Sequence, residues 1–198
     1  MLRKWILPFS VIAIIIFIVI IGFVLAAQDK VTVPASFAEA RINGAVISEF
    51  LNNFFQESSE RISKIEEQDK AGKYGKALDL TVQEFRKLQE ARLKTTELLG
   101  ELTAMAAAIP YIPIDSAQSI GMQAIATKMS LVDELLNYHE KIRQLLDLLQ
   151  NKFLSDNPAG FDAETTEIIK AMNDDILAIN ELNRKYQRLM GEFDEKLQ

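Results

Sequence analysis

The chain contains one histidine, His139, and no cysteine. An imidazole is the side chain best suited to carry protons near neutral pH, but a solitary one limits the chemistry. Histidine-rich zinc or iron sites need several imidazoles and are excluded. A Glu-x-x-His pair, the unit of carboxylate-bridged di-metal sites in helical bundles, would need an acid at position 136, which is Leu136. His139 falls one heptad after Val132 and one before Leu146, so helical periodicity places it at the edge of an apolar face. Counting along antiparallel helices brings it level with Ser58 and with Asp174 or Asp175. Ser58, His139 and Asp175 are therefore expected to form a buried polar contact. Proton transfer or ligand binding by His139 is the sharper alternative.

Other reactive constellations are missing from the sequence. Without cysteine there are no disulfides, thiolate metal sites, cysteine nucleophiles or lipidated N-terminal cysteine. There is no Gly-x-Ser-x-Gly elbow and no glycine loop to cradle phosphate. Asp156, Asn157 and Asp162 share a loop but lack the spacing of a calcium-binding hand. The remaining carboxylates stand near lysines and arginines, as on solvated helix faces. No catalytic, cofactor or metal residue is assigned, and a non-enzymatic protein is expected.

Charge narrows the partners. All 28 acidic residues lie from Asp29 onward, with 20 of the 22 basic ones, so this portion is net negative. Neutralising nucleic-acid phosphates requires a basic face, and none is found, so nucleic acid is not an expected partner.

The elements that must position these side chains begin with an apolar run. Residues 6–27 carry no charge. As a helix they would reach about 33 Å, against a hydrocarbon core of about 30 Å. The run is rich in β-branched residues, weak helix formers in water, but lipid forces the backbone to satisfy its own hydrogen bonds. Trp5 stands where an interfacial aromatic belongs, beside Arg3 and Lys4, and the two cations favour a cytoplasmic N-terminus. The expected organisation is a short basic cytoplasmic arm (1–5), a transmembrane helix (6–27), a linker (28–35) and an extracytoplasmic helical domain (36–198). Val24-Leu25-Ala26 also fits a signal-peptidase site, which would release a secreted bundle on the same side of the membrane.

Beyond the apolar run, prolines occur only at 34, 110, 113 and 158, leaving three long proline-free stretches. Gly72-Lys73-Tyr74-Gly75 adds a further boundary. Four helices follow. The first starts at Ser36, which has capping-box spacing to Glu39, and buries Ile47, Leu51, Phe54, Phe55, Ile62 and Ile65. The second runs from about Tyr74 to Ala108, with Leu78, Phe85, Leu88, Leu99, Leu102 and Ile109 on its seam. The third starts near Asp115 as a cap, with Gln118 three residues on, and has the clearest stripe, from Leu131 to Phe153. The fourth starts near Asp162 and uses Ile168, Met172, Ile176, Ile179, Leu182, Tyr186, Leu189 and Phe193. Glu57/Arg61, Glu60/Lys64, Glu66/Lys70, Glu90/Lys94 and Glu181/Lys185 have the spacing of solvated ion pairs. Short connections between long helices predict an all-α, antiparallel up-down-up-down four-helix bundle roughly 50 to 60 Å long. Two looser hairpins that dimerise are the alternative.

In that plan the second helix returns to the membrane. The apolar connection 106–114 is expected near the bilayer, with Tyr111 and Ile112 at the lipid interface, unless they plug the end of the bundle. The opposite tip would present Tyr74 and Phe161 to a partner, or use them to close the core.

Ala71-Gly72-Lys73-Tyr74-Gly75-Lys76-Ala77-Leu78 resembles the Gly-x-Tyr-x-x-Ala turn of a tetratricopeptide repeat, but it does not recur at that family's period of roughly 34 residues. One anchor followed by an outer helical bundle resembles bacterial chemoreceptor sensor domains. Those domains also have a second span and a cytoplasmic output module, so this chain is not expected to signal alone. The expected function is a structural, scaffold or adaptor role at the cell membrane through another envelope or membrane protein, with self-association as an alternative. A ligand-sensing bundle acting through a partner membrane protein is the second reading.

Overall fold

A computed structural model of the protein describes residues 33–155 and 161–198. Arg3, Lys4, Trp5, the apolar run 6–27, Asp156 and Asn157 lie outside the described residues. No helix of the described residues is long and apolar enough to cross a membrane. The described chain forms four long helices and no strand: α1 (Ala35–Lys70), α2 (Tyr74–Ala108), α3 (Asp115–Leu154) and α4 (Phe161–Lys196), with a 3₁₀ turn (Ile109–Tyr111) between α2 and α3.

The seams follow a seven-residue repeat. On α2, Ala77, Glu84, Ala91, Leu98 and Met105 form one buried series, and Thr81, Leu88, Thr95 and Leu102 form the other. On α1 the matching series is Phe37, Gly44, Leu51, Ser58 and Ile65, with Ala40 and Phe54 between them. Two narrow series per helix are the signature of knobs-into-holes packing. The alanines, threonines and Gly44 leave room for α1 and α2 to approach closely. Helix α3 buries a wider face, including Leu131, Val132, Leu135, His139, Ile142 and Leu146, because it packs on several neighbours. The apolar residues of α4 are mostly half-buried, with Met172, Leu189, Met190 and Phe193 fully inside.

Sequence-adjacent helices pack side by side and run in opposite directions. Residues early in α1 meet residues late in α2 (Asn43 with Glu101), and Ser58 meets Glu84 further along. Likewise Gly121 and Lys141 of α3 face Phe193 and Asp175 of α4. The bundle closes between α1 and α4 at one end. There the rings of Phe37 and Phe193 lie 5.3 Å apart, and Arg41 donates two 2.7 Å hydrogen bonds to Asp194. Toward the other end α1 meets α3 instead, through Asp69 and Lys152 at 2.7 Å.

Gly121 marks the tightest packing. A Cβ there would lie 2.6 Å from Ile109 Cδ1 and 3.0 Å from the Phe193 ring. The turn after α1 has a Schellman geometry: Gly72 takes φ +69°, its N–H bonds the Asp69 carbonyl, and the Lys73 N–H bonds the Gln68 carbonyl.

Several expected details are corrected. The Ser36–Glu39 capping box does not form; α1 begins at Ala35, and the Pro34 carbonyl accepts from the Phe37 and Ala38 N–H groups at 3.0 and 3.1 Å. Pro34 has the extended ψ of a cap residue, so the helix starts one residue earlier. Asp115 is the first residue of α3 and makes no side-chain cap bond; there its charge favours the helix dipole. Gln118 reaches back instead and donates to the Ile112 carbonyl at 2.6 Å. On α2, Leu99 is 39% exposed and Leu98 takes the seam position. Helix α4 begins at Phe161 rather than at Asp162. Glu57–Arg61 and Glu66–Lys70 pair as expected, whereas Lys87 reaches Glu90 and Lys94 turns to Glu97.

Candidate functional site

The middle of the bundle holds a layer of buried polar groups to which all four helices contribute. Glu84, on the α2 seam, is 0% exposed. A bare carboxylate there would be prohibitively costly, so its partners come from α1. Ser58 Oγ donates to Glu84 Oε1 at 2.5 Å, and the Arg61 guanidinium donates to both carboxylate oxygens. Arg61 also reaches Glu57 at 2.9 Å, and its guanidinium carbon lies 5.6 Å from the Phe54 ring centroid. Burial works against the guanidinium charge, and the bonds to Glu84 and Glu57 more than offset it, holding Arg61 firmly cationic.

His139 is 2% exposed. Its ring stacks on Phe55 at 5.5 Å and meets Phe54 edge-on at 6.0 Å. Neither ring nitrogen has a hydrogen-bond partner. Burial, assisted by the positive charge of Arg92, lowers its pKa to about 4, so the imidazole is neutral at physiological pH. The neighbouring Tyr138 phenol is held well above its usual range by burial and by the charges of Asp175 and Glu84. Asp175 itself is bonded by Lys141 Nζ, at 2.5 and 2.6 Å to its two oxygens.

Ser58, His139 and Asp175 are all buried, and Tyr138 feels carboxylates from both sides of the layer. The expected contact between them does not form. The Ser58 hydroxyl bonds a carboxylate, a stronger acceptor than a neutral imidazole. Asp175 pairs with a cation, and the two phenylalanine rings of α1 occupy the space beside His139. Glu84 escaped the sequence reading because an acid reads as solvated; its signal was its position midway between Ala77 and Ala91 at heptad spacing.

Lys128 also escaped it. It is buried, its Nζ lies 4.9 Å from the Tyr186 ring centroid, and burial lowers its pKa to about 8. No charged partner offsets that burial.

At the two ends, Tyr111 is 78% exposed and Ile112 is 1% exposed. Ile112 is therefore withdrawn from the expected lipid contact: it plugs the core, and the Gln118 bond to its carbonyl holds it there. Tyr74 is partly exposed and stacks on Phe153 at 6.2 Å, while Phe161 is half-buried at the start of α4.

Two grooves run along the α3–α4 surface. One, of about 350 Å³, is lined by Lys141, Gln144, Glu164, Glu167, Ile168 and Ala171. The other, of about 290 Å³, is lined by Gln123, Ala126, Thr127, Ser130, Leu182 and Lys185. Neither is lined by Ser58, His139 or Asp175. Among the described residues no three His, Asp or Glu side chains are grouped to hold a metal ion. The arrangement can hold helices in register and bury one titratable imidazole. No family model, no curated protein and no solved structure matches the chain.

Proposed function

We propose that the chain is a membrane-anchored extracytoplasmic helical bundle that acts as a structural, scaffold or adaptor protein by binding another envelope or membrane protein. The observation that carries this reading is how the inner polar groups are spent. Glu84, Asp175, Asp194 and Asp69 each face a cation on another helix. They tie helices to one another and do not converge on a pocket. What remains for recognition is the long outer surface of the helices, suited to contacts with a partner helix. The uncharged run 6–27, preceded by Arg3, Lys4 and Trp5, supports the anchor and its orientation.

Photo-crosslinking from the outer faces of α1 and α2 in native membranes, with identification of the adducts, tests the reading. A discrete membrane or envelope protein is expected, with the bundle cut only by protease added from outside the cell. Adducts only between copies of this chain would replace the adaptor with a homo-oligomer. A bundle cut only from the cytoplasmic side would overturn the topology. Intact-mass measurement of the mature chain separates the anchor from a secreted form cleaved near Ala26.

One observation favours a second reading, a ligand-sensing bundle acting through a partner membrane protein. The buried His139 ring nitrogens have no partner, and a small polar ligand would supply one.

A further inference from the structure

The two ends of the bundle differ in chemistry. At one, the α1–α2 turn carries charges of both signs, Lys70, Lys73 and Lys76 beside Glu66, Glu67 and Asp69, with Lys70 paired to Glu66 and Lys152 to Asp69. At the other, thirteen consecutive residues from Leu102 to Ile114 carry no charge. They form the last turns of α2, the 3₁₀ turn and the lead into α3. Within this stretch Ile109 and Ile112 point into the core, whereas Pro110, Tyr111 and Pro113 point out. An exposed tyrosine between two exposed prolines, on a turn held by the Gln118 bond, suits a headgroup interface, where a ring and a hydroxyl both find partners.

The uncharged connection lies at the same end of the bundle as the start of α1, beside the Arg41–Asp194 ion pair. Phe37 and Arg41, near the start of α1, meet Phe193 and Asp194, and Phe193 shares the Gly121 contact with Ile109. Only residues 28–33 separate the apolar run from Pro34. Fully extended, six residues reach at most about 20 Å, so an inserted run keeps this end close to the bilayer.

We propose that the 109–113 turn is a lipid-contact surface, with Tyr111 as the inserted side chain and the bilayer interface as its occupant. The inference rests on the anchor reading and adds an orientation. The bundle is seated on the membrane by the end that carries the uncharged α2–α3 connection, and the opposite tip is held about 50 Å away, the length of one helix.

The test uses the full chain in phosphatidylcholine vesicles carrying brominated acyl chains. Trp5 is the chain's one tryptophan and reports on the apolar run. In a Trp5→Phe background, Tyr111→Trp places an indole on the α2–α3 connection and Tyr74→Trp places one at the opposite tip. Tyr111 is largely exposed, and at the part-exposed Tyr74 an indole keeps an aromatic ring against Phe153. Quenching of Trp5 in the unmodified chain and of the indole at 111, with none at 74, is the expected result. Quenching of Trp5 with a solvent-like, unquenched indole at 111 would overturn the lipid contact while leaving the anchor intact. Quenching at both 111 and 74 would mean that the bundle lies along the membrane, which overturns the seating. No quenching of Trp5 or of the indole at 111 would overturn the anchor and the contact together.

Discussion

His139 on α3 lies against Phe55 on α1, ring centroids 5.5 Å apart and planes within 29°, and both imidazole nitrogens are left without a partner. A buried polar ring that makes no hydrogen bond costs about 1 to 3 kcal/mol relative to an apolar group of similar shape. His139→Leu is therefore expected to keep the fold and raise the free energy of unfolding by about 1 to 2 kcal/mol. Urea denaturation followed by circular dichroism measures it. A loss of about 1 kcal/mol or more, the size of a missing hydrogen bond, would show that the nitrogens have partners in solution.

The same residue gives the bundle an acid sensitivity. The folded-state pKa of about 4 lies below the ordinary 6.5. The unfolded chain thus binds more protons than the folded one between those values, and stability falls as pH drops from 6.5 toward 4. The loss attributable to this residue is about 3 kcal/mol. His139→Leu should flatten that part of the stability–pH curve. Equal pH slopes in the two proteins would place the proton elsewhere.

Glu84 joins α2 to α1, and its removal should be costly. Truncation to alanine leaves Arg61 without its main counter-charge and Ser58 without its acceptor. A loss of about 1 to 3 kcal/mol is expected, because the Ser58 hydroxyl is left unsatisfied while Arg61 stays part-exposed and keeps Glu57. Replacing both partners, Glu84→Leu with Arg61→Met, should recover most of it. If the double variant is no more stable than Glu84→Ala, the pair is not the source of the loss.

Gly121→Ala should destabilise by about 1 to 3 kcal/mol through overpacking. The added methyl would collide with Ile109 Cδ1 and crowd Phe193. Removing that Cδ1 with Ile109→Val should restore part of the loss when the two changes are combined. A thermal melt of the three variants measures the coupling, and strictly additive shifts would contradict the contact.

Lys128 predicts an alkaline effect of opposite practical sense. Its folded pKa of about 8 lies below the ordinary 10.5. Stability should therefore rise as pH climbs through that window, because the unfolded chain still holds a proton that the folded chain has released. Lys128→Met should abolish the rise and be at least as stable as the parent at pH 7. Both are read from unfolding curves at a series of pH values.

The architecture was largely legible because α3 announces itself: from Leu131 to Phe153 its apolar residues recur at helical spacing, and nearly all of them are buried. Prolines and the Gly72 turn marked the boundaries for direct steric reasons. The α1–α2 seam was harder to read. Its inner positions are filled by Ala77, Thr81, Ala91, Thr95 and Gly44, small residues that hydropathy does not distinguish from surface ones. Leu99 drew the eye from Leu98 because a single leucine step rotates a helix by 100°. The polar layer was legible as a level and not as a set of bonds. Axial counting places Ser58, His139 and Asp175 in the interior, but which acceptor a hydroxyl chooses depends on a carboxylate brought in from another helix. The choice of Ile112 over Tyr111 for the core turns on one residue of rotation in a 3₁₀ turn, which periodicity over three residues does not encode.

The clasp of Phe37 on Phe193 and Arg41 on Asp194 has a mechanical consequence. It joins the start of α1 to the end of α4. A pull exerted between that end and the opposite tip runs along the helix axes and loads every seam contact in parallel, so the bundle resists as a stiff rod. A pull that separates residue 33 from residue 198 runs across the helices and loads the clasp first, one ring pair and one ion pair at a time. The same fold is strong against tension from a distant partner and weak against peeling at its base.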